Sequence, residues 1–355
     1  MKIAVGLSGG VDSSVAALLL KEAGHEVTGV TMKLWREGRY RGGGRDACFG
    51  PGEADDIARA ADFARAIGIG YRVFDCAEEY DREIIRYFRE TSLKGLTPNP
   101  CVMCNAAMKF GLLPRLARRG GLAFDRFATG HYARIVSGEA GRLAVCRAAD
   151  TKKDQSYFLY RLSQEQLADT LFPLGELTKV EVRRIAAAHG LAAAGQLDSQ
   201  DFYSGDKSEL IGEEKRDGDI VDLSGKVLGR HDGFWHFTVG QRKGIGVFGP
   251  EPHYVIRLDA CHNRVVIGTR QEAFTREFAV EGMNWMGRAE CEEPITCRVK
   301  IRSTGEPLGP VTLENNICRA EGEGLFGVAP GQSAVFYDSE DRIIGGGVIA
   351  TPSMR

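Results

Sequence analysis

Residues 2–14 read Lys2-Ile3-Ala4-Val5-Gly6-Leu7-Ser8-Gly9-Gly10-Val11-Asp12-Ser13-Ser14: an apolar run, a loop of small residues, then the opening of a helical segment. Small residues let backbone N–H groups close around an anion, and a helix N-terminus adds partial positive charge, so the loop suits phosphate or pyrophosphate. An ordinary βα turn with Asp12 or Ser13 as N-cap would need fewer residues. Outward from the loop the pattern alternates. Apolar runs at 3–5, 27–32 and 71–74 are separated by helical segments at 13–23 and 53–67. Strands alternating with helices of this length form βαβ units, so the spacing predicts an α/β domain with a doubly wound parallel sheet. Further helices are expected at 79–91 and 105–118, and a strand at 124–128.

The loop is neither GxxxxGK[ST], since it has no lysine for the β and γ phosphates, nor GxGxxG. It resembles the PP-loop of ATP pyrophosphatases, which cleave ATP between the α and β phosphates and activate a substrate oxygen by adenylation. That resemblance implies ATP as cofactor and leaves the substrate open.

The texture changes near residue 205. Runs at 220–223 and 226–228 flank Ser224-Gly225, and runs at 254–258 and 264–267 flank a turn at 259–263, both hairpin signals. Short alternating runs with Gly and Pro continue over 278–348, as in a β-barrel or small sandwich. The expected organisation is an α/β catalytic domain at 1–205, a small β-rich connector at 206–272 and an all-β domain at 273–355. A chain of 355 residues has room for such a division.

With 43% hydrophobic and 26% charged residues the chain has an ordinary globular balance, which excludes disordered, collagen-like and coiled-coil classes. The net charge of −2 gives no global field for a polyanion, so any nucleic-acid contact must be local. No apolar stretch approaches the ~20 residues of a membrane span, and the first residues enter a strand with no leader pattern, so a cytoplasmic protein is expected. Nine cysteines at irregular spacing argue for thiol or metal chemistry rather than a disulfide framework.

Cys101 and Cys104 are the one closely spaced pair, in Thr97-Pro98-Asn99-Pro100-Cys101-Val102-Met103-Cys104-Asn105. Asn105 reads as the N-cap of the following helix, and a thiol beside a helix N-terminus is expected to have a lowered pKa. A structural zinc half-site would need a second pair, and the sequence has none. A nucleophilic or redox pair is self-sufficient. A cluster would need a third thiolate, for which Cys48, in a loop before a helix, is the candidate.

Several longer motifs occur in order along the chain: Ser8-Gly9-Gly10-Val11-Asp12-Ser13, Gly29-Val30-Thr31-Met32, Thr97-Pro98-Asn99-Pro100, Cys104-Asn105, Lys109-Phe110-Gly111, Ala128-Thr129-Gly130-His131-Tyr132-Ala133-Arg134, Lys153-Asp154-Gln155-Ser156-Tyr157-Phe158-Leu159, Ser199-Gln200-Asp201, Gly240-Gln241-Arg242-Lys243-Gly244 and Pro330-Gly331-Gln332-Ser333-Ala334-Val335. Together they resemble the tRNA-uridine 2-sulfurtransferases of the MnmA type over essentially the whole chain. The resemblance implies ATP contacts from Gly6, Leu7, Ser8, Gly9, Gly10, Val11, Asp12, Ser13, Met32 and Gly130. It places Asn99, Pro100 and Cys101 beside the target base, with Cys104 as nucleophile. It assigns tRNA contacts to His131, Lys153, Asp154, Gln155, Arg302, Ser303 and Gln332.

Two departures stand out. The best-known branch has an aspartate where this chain has Cys101, and a second catalytic cysteine where this chain has Tyr203. The implied chemistry is 2-thiolation of the wobble uridine: AMP is transferred to the uracil O2, sulfur attacks C2, and AMP leaves. Asp12 is a candidate for ordering Mg²⁺ around the phosphates. Without the second cysteine, sulfur has two routes. Cys104 carries a persulfide that Cys101 resolves, or Cys48, Cys101 and Cys104 hold an iron–sulfur cluster whose open iron binds sulfide, by analogy with other PP-loop thiolases. The third thiol and the coincident loss of the relay cysteine favour the cluster.

The expected partners are the anticodon stem-loop of tRNA and a sulfur donor or persulfide carrier, with no membrane. Candidate phosphate contacts are the basic loop at 36–45 and the stretches 115–119 and 298–302. The remaining cysteines and the histidines other than His131 read as packing or surface residues. Rival readings are a PP-loop synthetase acting on a small molecule, which would not need Cys104, and a nucleotide- or metal-binding regulator, which would not release pyrophosphate.

Overall fold

The computed structural model describes residues 1–42, 47–191, 201–203, 205–213 and 215–351. The chain begins β1 (Lys2–Gly6), α1 (Val11–Glu22), β2 (Glu26–Lys33), β3 (Ala47–Phe49), α2 (Glu53–Ala66) and β4 (Gly70–Asp75). Two interrupted helical runs follow. α3 (Ala77–Tyr80) and α4 (Arg86–Leu93) are joined by a π-helical turn at Asp81–Ile85, and α5 (Pro100–Met103) and α6 (Leu113–Arg119) by a π-helical stretch at Cys104–Leu112. Next come β5 (Arg126–Thr129), β6 (Ala133–Ser137), β7 (Leu143–Arg147), α7 (Gln164–Asp169), β8 (Thr170–Leu171), α8 (Lys179–Ala188), β9 (Asp201–Tyr203) and α9 (Lys207–Ile211).

The main sheet is five-stranded and parallel, in the order β4-β2-β1-β5-β8. Ile3, Ala4 and Val5 are buried at its centre, because helices cover both faces and neither alternate set of side chains can meet water. Ile3 sits opposite Val27 on one side and Arg126 on the other. The chain leaves β1 for β2 on one side and later returns to β5 on the other. The carboxyl ends of β1 and β5 therefore flank a topological switch point, where open α/β sheets form their ligand crevices. Both Leu7–Gly10 and Gly130-His131 emerge there. The expected strands and helices of this unit are all present; the helix expected at 105–118 starts five residues earlier, at Pro100.

The β-rich connector holds β10 (Gly218–Val221), β11 (Val227–His231), β12 (Tyr254–Asp259) and β13 (Arg264–Gly268), in the order β11-β10-β13-β12. Both expected hairpins are present, β10 with β11 around Ser224-Gly225 and β12 with β13. The last part contains β14 (Phe274–Thr275), β15 (Glu277–Trp285), β16 (Ile295–Lys300), β17 (Leu308–Glu314), β18 (Ile317–Ala320), β19 (Leu325–Phe326), β20 (Ser333–Tyr337) and β21 (Ile343–Ile349). Six of these strands close into a barrel, β15-β18-β17-β16-β20-β21, which resolves the choice between barrel and sandwich. One hydrophobic cluster joins barrel residues Val335, Tyr337 and Ile343 to Phe127, Tyr157 and Tyr160 of the α/β unit. Thr97 N–H donates to Pro330 O at 2.8 Å across the same contact. Among the described residues, no helix is long and apolar enough to cross a membrane.

Candidate active site

The loop after β1 is built by its own small side chains. Ser8 N–H donates to Ser13 Oγ at 3.2 Å, and the Ser13 and Ser14 hydroxyls donate to Gly10 O at 3.1 and 3.0 Å. Gly10 is the N-cap and no side chain caps the helix, so the ordinary turn capped by Asp12 or Ser13 is not what forms here. Gly9 has φ +77, and a Cβ there would stand 2.4 Å from Asp56 O, so only glycine fits. The Thr31 hydroxyl donates to Leu7 O at 2.6 Å and ties the loop to β2. Gly130, at the end of β5, lies against the same helix start, since a Cβ would come 2.7 Å from Asp12 C and Ser13 N. Met32 is half-buried between the two hydrophobic clusters that flank the sheet end.

Asp12 is held from three directions. Lys179 Nζ donates to both carboxylate oxygens at 2.8 Å, and the Tyr132 hydroxyl donates to Oδ1 at 2.8 Å. Lys179 is buried at the N-terminus of α8, whose Thr178 cap forms a reciprocal capping box with Glu181. The sequence reading missed Lys179. The loop lacks a lysine of its own, and α8 brings a buried ammonium to the loop's first helical turn. With both oxygens engaged, Asp12 has little left to offer a metal ion.

The thiol region lies at the start of the next helical run. Asn99 caps that run by accepting from Val102 N–H at 3.4 Å, with Pro100 in the first turn. Asn105 is therefore inside the helix, where its amide donates to Phe158 O at 3.3 Å. Cys104 likewise sits inside the helix, half-buried, and loses the expected benefit of the N-terminus. Burial pushes its thiol up to about 11, against the pull of the Lys109 ammonium. Burial pulls Lys109 down, but the charges of Cys104, Cys48 and Cys101 outweigh this and hold it above its ordinary value. Burial, then Lys109, keeps His131 well below its ordinary value, so its ring is neutral near pH 7. His131 Nδ1 lies 2.7 Å from Thr129 Oγ1, and its ring packs on Phe110 and Phe172.

Lys109 thus touches the fields of both Cys104 and His131, and His131 directly follows the glycine that backs the loop. Alkylation of Cys104 by iodoacetamide should accordingly rise about tenfold per pH unit from about pH 7 to about pH 10, because only the thiolate reacts. A plateau near about pH 8 would show that the thiol is not held up. Lys109→Met should slow the labelling at every pH in that range.

Cys48, Cys101 and Cys104 all raise the Tyr80 phenol, after burial itself. All nine cysteines are among the described residues and none is in a disulfide. Among the described residues, no three His, Cys, Asp or Glu side chains are grouped closely enough to hold a metal ion. In this arrangement the three thiols do not fit an iron–sulfur cluster, and no step is derived through one.

Gln332, on the turn before β20, reaches the cap of the thiol helix. Its Oε1 accepts from Asn99 Nδ2 at 3.3 Å and from the Tyr157 hydroxyl at 3.2 Å, and its Nε2 donates to Pro98 O at 3.2 Å. The barrel is therefore hydrogen-bonded to the cap of the helix that carries Cys101 and Cys104. Asn99 and Pro100 are buried, and Cys101 is half-buried.

In the run Lys153-Asp154-Gln155, the Asp154 and Gln155 side chains bond within the fold. Gln155 Oε1 accepts from Tyr132 N–H at 2.9 Å. The Asp154 side chain is 0% exposed, with Lys300 Nζ at 3.6 Å and Arg147 Nε at 3.5 Å. It accepts from Ala148 and Ser156 N–H and from the Ser156 hydroxyl. Asp154→Ala leaves the buried Lys300 without its acid and Arg147 with only Glu306 and Asp341, so it should destabilise folding by about 3–5 kcal/mol in chemical denaturation. A change under about 1 kcal/mol would instead mark an exposed carboxylate available to a ligand.

Arg302 donates to Phe326 O and Gly327 O at 3.3 and 3.1 Å, beside a half-buried Ser303. Among the basic stretches, Arg36 pairs with Glu78, Arg39 with Asp81, Arg118 with Asp169 and Arg298 with Asp341, while Arg115 and Arg119 are exposed. Arg45, Ser199 and Gln200 lie outside the described residues.

Tyr203 is buried on β9, which pairs in parallel with β3 so that Phe49 faces Tyr203. Its hydroxyl donates to Glu209 and accepts from Gly42 N–H at 3.1 Å. Burial and that carboxylate push the phenol up to about 12.

Three domain profiles match along the chain: "tRNA methyl transferase HUP domain" over residues 1–203, "tRNA methyl transferase PRC-barrel domain" over 209–269, and "Aminomethyltransferase beta-barrel domain" over 275–349. A protein named tRNA-specific 2-thiouridylase MnmA from Endomicrobium trichonymphae is 43% identical over 98% of this chain and 99% of its own. Proteins of the same name from Nostoc sp. and Picosynechococcus sp. are 45% and 44% identical, covering 98% and 99% of this chain and 98% and 99% of their own. A likeness of this depth, spread over an α/β unit, a β connector and a closed barrel, leaves no part of the fold unaccounted for: the chain belongs to the tRNA-specific 2-thiouridylase MnmA family.

Proposed function

We propose that this chain is a tRNA-uridine 2-sulfurtransferase that uses ATP to exchange the C2 oxygen of the wobble uridine for sulfur. The observation that carries the reading is the junction of the two sites: Gly130 backs the start of α1, and the ring of its neighbour His131 packs on Phe110 of the helical stretch that begins at Cys104. A nucleotide on the loop and a base beside Cys104 would then share one crevice at the sheet's switch point.

In this reading ATP is held by the backbone of Gly6, Leu7, Ser8, Gly9, Gly10, Val11, Asp12 and Ser13, with Met32 and Gly130 closing the pocket and Mg²⁺ entering on the phosphates. The uracil O2 attacks the α-phosphate, and the bond to pyrophosphate breaks. C2 has then gained a leaving group, and the terminal sulfur of a Cys104 persulfide attacks it and expels AMP. The Cys101 thiolate next attacks Cys104 Sγ, forming a disulfide and releasing the thiocarbonyl; a dithiol reductant resets the pair. Asn99 and Pro100 form the wall beside the base, with Gln332 holding Asn99. His131, Lys153, Asp154, Gln155, Arg302 and Ser303 complete the assigned tRNA face, Asp154 by shaping it from within. Flipping the base out of an anticodon loop costs little.

The domain limits that go with this reading are 1–205, 206–272 and 273–355, in keeping with the three profile spans. The protein would act in the cytoplasm with a persulfide-bearing donor. The other sulfur route, through iron on Cys48, Cys101 and Cys104, would need these thiols brought closer together than they stand. Anaerobically purified protein, supplied with ATP, unmodified tRNA and inorganic polysulfide, separates the two. The thiol route predicts 2-thiouridine in RNA digests from colourless, iron-free protein. Thiouridine that appears only with bound iron would sink it.

A further inference from the structure

We propose that the seam between the connector and the barrel is a second tRNA contact, in which Phe248 stacks on an unpaired nucleotide while Arg242, Lys243 and Arg270 take phosphates. This rests on the tRNA reading above and extends it away from the reacting base. The motif Gly240-Gln241-Arg242-Lys243-Gly244 opens the long loop before β12, and no step of the thiolation uses it.

Internal bonds fix this loop. Gln241 Oε1 accepts from Thr238 N–H at 3.0 Å and its Nε2 donates to Lys243 O at 2.9 Å, while Gly240 N–H donates to Val255 O at 2.7 Å. Ile245 is buried in the connector's core, and Val247 packs against that core. The next residue departs from the pattern: Phe248 is 98% exposed, more than any other large apolar side chain among the described residues. A ring that an anchored loop holds in water gains by covering a flat partner, and every base offers a π face.

Arg242 and Lys243 are exposed on the same loop. Gly240, at its base, lies against the barrel, where a Cβ would stand 2.6 Å from Arg302 Nη2 and 3.2 Å from Gly327 Cα. Arg270 and Arg302 both rest on the Phe326 ring, 5.1 and 5.7 Å from its centroid. Among the described residues, none of these four cations has a carboxylate within ion-pair distance, whereas Arg36, Arg118 and Arg298 of the other basic stretches do. In a chain of net charge −2, such a group supplies the local positive field that a polyanion needs. A protein partner fits less well, because the loop offers one ring beside two charges, and the centre of a protein interface is depleted in charge.

The seam is also in the right place. From Phe326 the chain runs to Gln332, which holds Asn99 at the cap of the thiol helix, so at most about 22 Å of backbone separates the two. On the connector side, a Cβ at Gly95, just ahead of Thr97, would lie 3.2 Å from Leu258 O of β12. RNA whose base enters beside Asn99 therefore brings its flanking nucleotides to the seam.

The test measures binding of full-length unmodified tRNA to the full-length protein by fluorescence anisotropy over about 50–200 mM salt. Phe248→Ala should weaken binding about tenfold, and Phe248→Trp should return it to within about threefold of wild type, since stacking needs a ring. Arg242→Gln combined with Lys243→Gln should reduce the slope of log affinity against log salt by about 1.5, for two phosphates lost. Denaturation midpoints should match wild type, because all three side chains are exposed. Wild-type affinity and salt slope in both the Phe248→Ala and the double variant would overturn the proposal. Unchanged tRNA binding with slower sulfur loading from a cysteine desulfurase would overturn it in favour of a protein docking on the seam. Wild-type protein that binds no tRNA would instead count against the parent reading, independently of the seam.

Discussion

Serine in place of Cys104 should abolish 2-thiouridine formation while tRNA-dependent pyrophosphate release continues. The adenylation half uses the loop after β1, Gly130 and the uracil oxygen, none of which needs the thiol. The sulfur half has no attacking atom once Sγ is gone. Losing a nucleophile costs about 10⁴-fold or more in turnover, whereas pyrophosphate release should stay within about threefold on its first turnover. Oγ is smaller than Sγ and also neutral, so the half-buried site should not refold around it. A variant that still makes thiouridine would show that Cys104 is not the atom that delivers sulfur. A variant that loses both activities would mean that the thiol helps to build the nucleotide site.

Gly130→Ala should fail in the complementary way, losing both halves together. An added methyl would lie 2.7 Å from backbone atoms of Asp12 and Ser13. Backbone cannot rotate aside as a flexible side chain can, so the start of α1 must shift, and with it the N–H groups that the loop presents. A displacement near 1 Å in a site that works by positioning costs about 10²-fold, so pyrophosphate release and thiouridine should fall in parallel by about that factor. Alkylation of Cys104 should be unchanged, because the clash is on the loop side of the strand end. Normal pyrophosphate release would show that the loop and the end of β5 do not form one site.

What the sequence disclosed was local. The loop at 6–14 could be read because its glycines and serines satisfy one another within a few residues, as Ser13 does with Ser8 and Gly10. The strands could be read because their apolar runs are continuous. Lys179 could not, since it meets Asp12 across 167 residues and resembles any helix-opening lysine after a Thr cap. The cap of the thiol helix was misplaced at Asn105 although Asn99-Pro100 carried the stronger signal, a cap residue followed by proline at the first helical position. Moving the cap six residues upstream put Cys104 inside the helix, and burial then reversed the expected direction of its pKa. Asp154 was assigned to the tRNA face because its partner Lys300 arrives only with the barrel. The pairing of β3 with β9 is short and joins distant segments, so no periodicity announced that Phe49 and Tyr203 would lie side by side.

The account stands or falls on whether the nucleotide activates the base itself. Transfer RNA carrying ¹⁸O at O2 of the wobble uridine, incubated with ATP and a sulfane donor, answers this by mass spectrometry of the AMP released. One ¹⁸O atom should appear in AMP for each thiouridine formed, because the C2 oxygen leaves on phosphorus. Thiouridine accompanied by unlabelled AMP would contradict adenylation of the base and with it the single crevice proposed for loop and thiol.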